Sequence, residues 1–324
     1  MGHEVDVVVV GAGVSGLTCA ILLAERGRRV LVRSAEAPHD TTSCAAGAIW
    51  GPHMVAHERA LAWALESLEI FRGLARDPST GVAMVAGVEA ARDGLAVPHP
   101  GPGVDDVTRC DPATLPAGFS NGWRYRVPII DMHRYLDYLV ERLHRTGTPI
   151  ELGPAVTAAE LPTLGPAVVN CSGLGARALV PHDPVRPVRG DLLVVGNPGI
   201  ADFFIEHDDD IDEITTYVLP QGDRVLLGGS RRDGDESVRP SERIAADILR
   251  RCVEAEPRLR GLRVLEHRVG LRPVRPRVRI GRDEEHPHLV HNYGHGGGGV
   301  TVSWGCAQEV ERLTAAAERS SRPR

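Results

Sequence analysis

The sequence predicts an α/β fold in which a dinucleotide-binding domain is interleaved with a second, β-rich α+β domain for the substrate. Three glycine-bearing turns carry that prediction. Val7-Val8-Val9-Val10 runs into Gly11-Ala12-Gly13-Val14-Ser15-Gly16, Val168-Val169-Asn170-Cys171-Ser172-Gly173 repeats the theme mid-chain, and Gly296-Gly297-Gly298-Gly299 lies near the C-terminus. Nucleotide-binding pieces at the start, middle and end require a discontinuous domain. Its parts are 1–54, 131–185 and 273–324, and 55–130 with 186–272 form the second domain. Substrate is expected at the interface between them.

The N-terminal unit is the most explicit. A buried β-run, a Gly-x-Gly-x-x-Gly turn, a helix from Leu17 to Arg26 stopped by Gly27, and a strand from Arg29 to Arg33 follow in Rossmann-type order. The three glycines give a tight turn, backbone access for a pyrophosphate, and close helix–strand packing. A plain βα turn is the competing reading. A carboxylate near the end of the second strand ordinarily holds the adenosine ribose. Here Arg33 stands at the strand end, with Glu36 the nearest acid. Arg33 suits a 2′-phosphate, a pyrophosphate or an adenine face, so the motif alone leaves NADP and other dinucleotides open.

Helical periodicity covers His57 to Arg76. Pro98 to Pro116 reads as loop-rich, and Asp131 to Arg145 as a helix with Asp131 at its N-cap. Ala167 to Ala176 is a strand entering a glycine turn: a second backbone approach to the cofactor, or another βα turn. Asp191 to Val195 is a strand, and Tyr217 to Gly229 a hairpin turning at Gln221-Gly222-Asp223. Ser241 to Glu254 is a helix capped by Ser241. Leu289-Val290 leads into the glycine run, and Cys306 to Ala317 is helical, followed by a polar tail, Arg319 to Arg324, expected to fray. A run so poor in side chains works through its backbone N–H groups. At a helix N-terminus these suit an anion or a developing negative charge. A flexible linker is the competing reading, and the position between a strand and a helix argues against it.

At 324 residues the chain can hold two cores. A net charge of −6 gives no electrostatic reason to expect nucleic acid. There is no long apolar span for a membrane, and the N-terminus enters the first strand without room for a signal peptide, so cytoplasmic is the default. The C-terminal Ser320-Ser321-Arg322-Pro323-Arg324 is not a peroxisomal address. The six cysteines, Cys19, Cys44, Cys110, Cys171, Cys252 and Cys306, lack metal spacing and read as buried free thiols, with no metal site and no disulfide expected. All 37 basic residues are arginine, which excludes a Walker loop, a Schiff-base lysine and a lysine general base.

These motifs resemble the D-amino-acid oxidase family, FAD enzymes that include the D-aspartate oxidases. The resemblance runs from Val7 to about Glu311 and rests on Gly11 to Gly16, Thr41 to Trp50, Val169 to Gly173, Gly270-Leu271-Arg272-Pro273-Val274-Arg275-Pro276, and His291 to Gly297. It implies that the discontinuous domain binds FAD. Arg272 would grip the substrate α-carboxylate, Tyr217 would reach the same group, and Gly297 would offer its carbonyl to the amine. Thr301 and the N–H groups of Gly298, Gly299 and Val300 would meet the flavin pyrimidine edge. Thr41, Thr42 and Ser43 would hold the pyrophosphate and ribityl chain. The implied cofactor set is completed by Gly11, Gly13, Val14, Ser15, Gly16, Arg33, Gly47, Ala48, Ile49, Ser172, Gly173, Arg272, Gly296 and Gly297. Ile49, Gly51 and Arg231 are implied in substrate specificity.

The reaction so implied is hydride transfer from the substrate Cα to flavin N5. The imino acid hydrolyses to a 2-oxo acid and ammonia, and O₂ accepts the electrons to give hydrogen peroxide. The chain departs from the family in three places. No second tyrosine occurs in Asp208 to Thr216, the position of Gly298 lacks an aromatic, and Gly51 replaces a polar residue. The lysine that promotes the oxygen step in sarcosine-oxidase-like relatives is absent too. Arg231 resembles the arginine that D-aspartate oxidases carry for a side-chain carboxylate, whereas the acidic stretch Asp208 to Glu213 would favour cationic side chains. A D-aspartate or D-glutamate oxidase, a related FAD-dependent amine oxidoreductase and a flavoprotein without turnover stay open. The partners expected are a small D-amino acid and O₂, with a homodimer left open.

Overall fold

The computed structural model describes residues 5–51, 55–92, 94–207 and 214–321. The first unit consists of β1 (Val7–Val10), α1 (Val14–Glu25) and β2 (Val30–Ser34). After it come α2 (Ala60–Leu74), β3 (Val82–Arg92), β4 (Asp105–Arg109), β5 (Phe119–Ile130) and α3 (Met132–Arg145). The middle of the chain forms β6 (Ile150–Leu152), β7 (Ala167–Asn170), the short α4 (Ala176–Leu179), β8 (Arg186–Gly196) and β9 (Phe203–His207). The remainder forms β10 (Ile214–Gln221), β11 (Arg224–Ser230), β12 (Arg232–Asp233), α5 (Glu242–Ala255), β13 (Val264–Arg282), β14 (Leu289–His295) and α6 (Ser303–Ser321).

One sheet runs through the molecule in the order β4-β5-β3-β9-β10-β11-β8-β13-β14-β7-β1-β2-β6, with β12 pairing onto β8. From β14 to β6 the pairing is parallel, as βα crossovers require. The four valines of β1 are buried on both faces, as a parallel strand covered by helices should be. From β13 outward to β4 the pairing is antiparallel except between β3 and β9. The 19-residue β13 joins the two regimes: Leu271 and Arg272 lie opposite Arg189 and Val188 of β8, and Arg279 to Arg282 pair with β14.

α1 packs between α3 and α6, burying Leu17, Ile21, Leu139 and Val310 in one core. α2 lies against α6, where Gly305 permits close approach, since a Cβ there would stand 2.3 Å from the Trp63 carbonyl oxygen. Asp131 caps α3 as expected, its carboxylate accepting from the N–H groups of His133 and Arg134. Ser241 occupies the N-cap of α5, but its side chain makes no capping hydrogen bond. The loop-rich Pro98–Pro116 region carries the short β4, and α6 is helical through Ser321. The acidic stretch 208–213 lies outside the described residues. All six cysteines are free, five of them buried. Among the described residues no helix is long and apolar enough to cross a membrane.

Candidate active site

The first glycine turn is shaped by what a side chain would strike. Gly11 has φ +106°, and a Cβ there would lie 2.6 Å from the carbonyl oxygen of Cys171, so the N-terminal and mid-chain turns touch. A Cβ on Gly16 would lie 1.9 Å from the Gly11 carbonyl oxygen. Gly13 instead faces hydroxyls, with Ser43 Oγ 3.0 Å and Thr41 Oγ1 3.7 Å from where its Cβ would be. The N–H of Val14 donates to Ser43 Oγ at 3.0 Å, and that of Ala12 to Ser34 Oγ at 3.2 Å. Backbone donors at a helix N-terminus, faced by hydroxyls across a side-chain-free turn, fit a pyrophosphate. The residues present therefore fit a dinucleotide cofactor. Arg33, one residue before the end of β2, accepts from the Gly11 N–H on its carbonyl at 2.8 Å, while its side chain makes no hydrogen bond or ion pair among the described residues; Ser34 makes the side-chain contact to the turn. At the second turn, the Ser172 N–H and Oγ both donate to Asn170 Oδ1, and a Cβ on Gly173 would stand 3.9 Å from Pro273.

The segment from Thr41 to Gly51 leads from this cradle towards β13. Thr42 Oγ1 donates to the Leu271 carbonyl at 3.2 Å, and a Cβ on Gly47 would stand 3.4 Å from the Tyr217 hydroxyl. Ala48 takes φ +50° while its carbonyl accepts from the Ile130 N–H, and Ile49 bridges to Ile129. The Gly51 N–H reaches Thr301 Oγ1 at 3.3 Å. One segment thus touches the cradle, Tyr217 and the C-terminal glycine run. In that run Gly296–Gly298 form a 3₁₀ turn, Val302 N–H donates to the Gly298 carbonyl, and α6 begins at Ser303. Thr301 is buried, and Gly297 is exposed.

Arg272 lies where β13 passes between the two halves of the sheet. Its Nη1 donates to the carbonyls of Ser230 (3.0 Å) and Arg189 (3.2 Å), while Nε and Nη2 make no hydrogen bond among the described residues. A Cβ on Gly190 would fall 2.4 Å from Arg272 Cζ, so the guanidinium rests against glycine. Burial pushes its pKa below the ordinary value and Arg231 adds to this, against the opposing pull of Tyr217 and Asp191. An arginine stays charged regardless, so this cation is short of negative charge. The Tyr217 ring covers Gly228 and Gly229, whose Cβ atoms would lie 1.8 Å from Cζ and 2.7 Å from the hydroxyl. Burial pushes the Tyr217 phenol up to about 12, keeping it a donor.

Beneath Arg272 sits a buried network that the sequence reading missed. Asp191 Oδ1 and Oδ2 accept from Arg189 at 2.7 and 2.9 Å, Ser230 Oγ donates to Oδ2 at 2.7 Å, and His267 Nε2 lies 2.9 Å from Oδ1. Burial raises the Asp191 pKa, but the bonds from Arg189, Ser230 and His267 outweigh it and hold the carboxylate below its usual range. Arg189 and Ser230 are the residues whose carbonyls Arg272 grips. Gly190 and Gly228-Gly229 left one signal in the sequence: glycines inside strands, where a close approach is the usual reason. The expectation of no metal rested on cysteine spacing, yet the fold brings His39, Cys44 and His133 together with ligand atoms within 4.8 Å of one another.

Comparison with known proteins agrees with this geometry. The family model described as FAD dependent oxidoreductase matches residues 6–313. The chain is 45% identical over 315 residues to a D-amino-acid oxidase of Rubrobacter xylanophilus, covering 96% of each protein. It is 47% identical over 320 residues to a D-amino-acid oxidase of Streptomyces coelicolor, covering 95% of this chain and 96% of that one. Among solved structures, glycine oxidase from Geobacillus kaustophilus superimposes with a TM-score of 0.80 at 17% identity, over 97% of this chain and 95% of the other.

Proposed function

The chain belongs to the FAD-dependent oxidoreductase family, and from that premise we propose that it oxidises D-amino acids to 2-oxo acids, ammonia and hydrogen peroxide, with O₂ as electron acceptor. The observation that carries the substrate class is Arg272. Its fork is backed by Gly190, engaged among the described residues through Nη1 alone, and lies beside the Tyr217 hydroxyl. Two parallel donors, Nε and Nη2, match the two oxygens of a carboxylate.

Bound FAD supplies the two-electron acceptor that O₂ then reoxidises. Gly11, Gly13, Gly16, Ser34, Thr41, Ser43, Ser172 and Gly173 would hold it from the nucleotide side. The N–H groups from Gly298 to Val300, with Thr301, would offer donors that stabilise negative charge on its flavin end. The remaining chemistry is orientation. Arg272 and Tyr217 fix the carboxylate, the Gly297 carbonyl takes the amine, and these two anchors leave one Cα face turned to the cofactor. This chemistry requires no general base when the substrate amine is neutral in the reacting complex.

The test is anaerobic addition of D- and L-alanine, D-aspartate and D-arginine to the holoenzyme. Bleaching of the flavin band by the D- but not the L-enantiomer is expected, and a flavin that no D-amino acid reduces overturns the reading. A second reading, preference for acidic side chains, is favoured by one observation: Arg231 follows β11 close enough for its charge to act on Arg272, and makes no hydrogen bond or ion pair among the described residues. Arg231→Ala is then expected to lower kcat/KM for D-aspartate by ~10-fold or more while sparing D-alanine. Equal effects on both substrates remove that role.

A further inference from the structure

On the far side of the cofactor loop, three side chains of metal-ligating type converge from separate elements. His39 comes from the 3₁₀ turn Pro38–Asp40, Cys44 from the 3₁₀ turn Thr42–Ala45, and His133 from the first turn of α3. Cys44 Sγ lies 3.5 Å from His133 Nε2 and 3.8 Å from His39 Nδ1. On a tetrahedral zinc ion with Zn–S of about 2.3 Å and Zn–N of about 2.0 Å, sulfur and nitrogen ligands stand about 3.5 Å apart. The two observed separations lie close to that value before any ion draws them in. We propose that His39, Cys44 and His133 form a Cys-His₂ site for a zinc-class divalent ion.

The surroundings agree with a built site. Asp137 Oδ1 lies 2.7 Å from His39 Nε2, the arrangement in which a carboxylate takes the outer N–H of a ligating imidazole and leaves the other nitrogen its lone pair. His133 Nδ1 is buried without a partner among the described residues, so Nε2, facing the thiol, is the engaged nitrogen of that ring. The charges felt at Cys44 come from Glu266, Asp131 and Asp40 against one guanidinium, Arg268, itself bonded to Glu266 at 2.8 Å. Cys44 is buried while His39 is exposed, which leaves the fourth position to solvent. Binding replaces the thiol proton with the ion, and that proton leaves to water.

Ser43, the neighbour of Cys44, holds the N–H of Val14 in the cofactor cradle. An ion at Cys44 therefore ties the loop to α3 and slows the loss of FAD. Metal uptake itself stands apart from the oxidase reading, because it is measured without substrate.

The experiment uses untagged holoenzyme, stripped with EDTA and titrated with Co²⁺ and then Zn²⁺. One Co²⁺ per chain is expected, with tetrahedral absorption to the red of the flavin band, displaced by Zn²⁺. The signal should vanish in Cys44→Ser and in His39→Ala, the latter a solvent-exposed change whose flavin spectrum reports an intact fold. Dissociation of FAD should slow severalfold with Zn²⁺ in the wild type and not in either variant. Absence of stoichiometric uptake, uptake unchanged in Cys44→Ser, or a six-coordinate spectrum without thiolate character would each overturn the site.

Discussion

At the scale of single residues, Arg272 depends on what its neighbours lack. Gly190 gives the guanidinium a flat support, and the carbonyls of Arg189 and Ser230 use only Nη1. Lysine in its place would keep the charge and lose the planar fork. Arg272→Lys is therefore expected to lower kcat/KM for D-amino acids by ~10- to 100-fold, chiefly through KM. Steady-state kinetics together with the flavin spectrum check this, and an unchanged KM with bound flavin intact would remove Arg272 from carboxylate binding. The sequence singles out Arg272 and Tyr217 through motifs that resemble a family. It does not single out Asp191, Gly190 or Ser230. Their role arises from strand pairing that sets β8 between β11 and β13, some forty to eighty residues apart in the chain, as the Arg272 bonds to Ser230 and Arg189 record.

At the scale of elements, what the sequence revealed was local. The β1–turn–α1–β2 unit is written in adjacent residues, and so is the capping of α3 by Asp131, because each depends on neighbours within one or two turns. β4 was hidden by the prolines and glycines around it, since its place in the sheet comes from pairing with β5 and not from its own propensity. The 19-residue β13 was legible only as an arginine–proline motif. Its length follows from having two partners, β8 along its first half and β14 along its second. The His39–Cys44–His133 cluster escaped for the same reason, because a spacing rule tests contiguous motifs and His133 arrives from another element. Ser34 stands at the end of β2, and its hydroxyl joins the turn by accepting from the Ala12 N–H.

At the scale of the whole molecule, the single sheet passes from the nucleotide cradle to the antiparallel half without a break, so a charge forced into its centre is felt by the entire fold. His295, at the end of β14, is buried with Nε2 3.0 Å from Asn292 Oδ1, and burial pushes its pKa down from 6.5 to about 4. Above the unfolded value both states are neutral and the stabilisation is complete. As pH falls from 6.5 towards about 4, the unfolded chain takes a proton that the folded chain refuses, and stability is lost across that window. Below it both states are protonated and the loss stops. Between about pH 7 and about pH 5 this imidazole alone should cost the native state on the order of 2 kcal/mol. Replacing it by His295→Gln, which cannot titrate, should flatten the pH dependence of denaturant unfolding by that amount relative to the wild type. The comparison of the two proteins cancels the other histidines whose pKa values burial lowers, His57, His133 and His291. Parallel losses in both proteins would mean that protons enter this part of the sheet without opening it, and that His295 is not buried from water in solution.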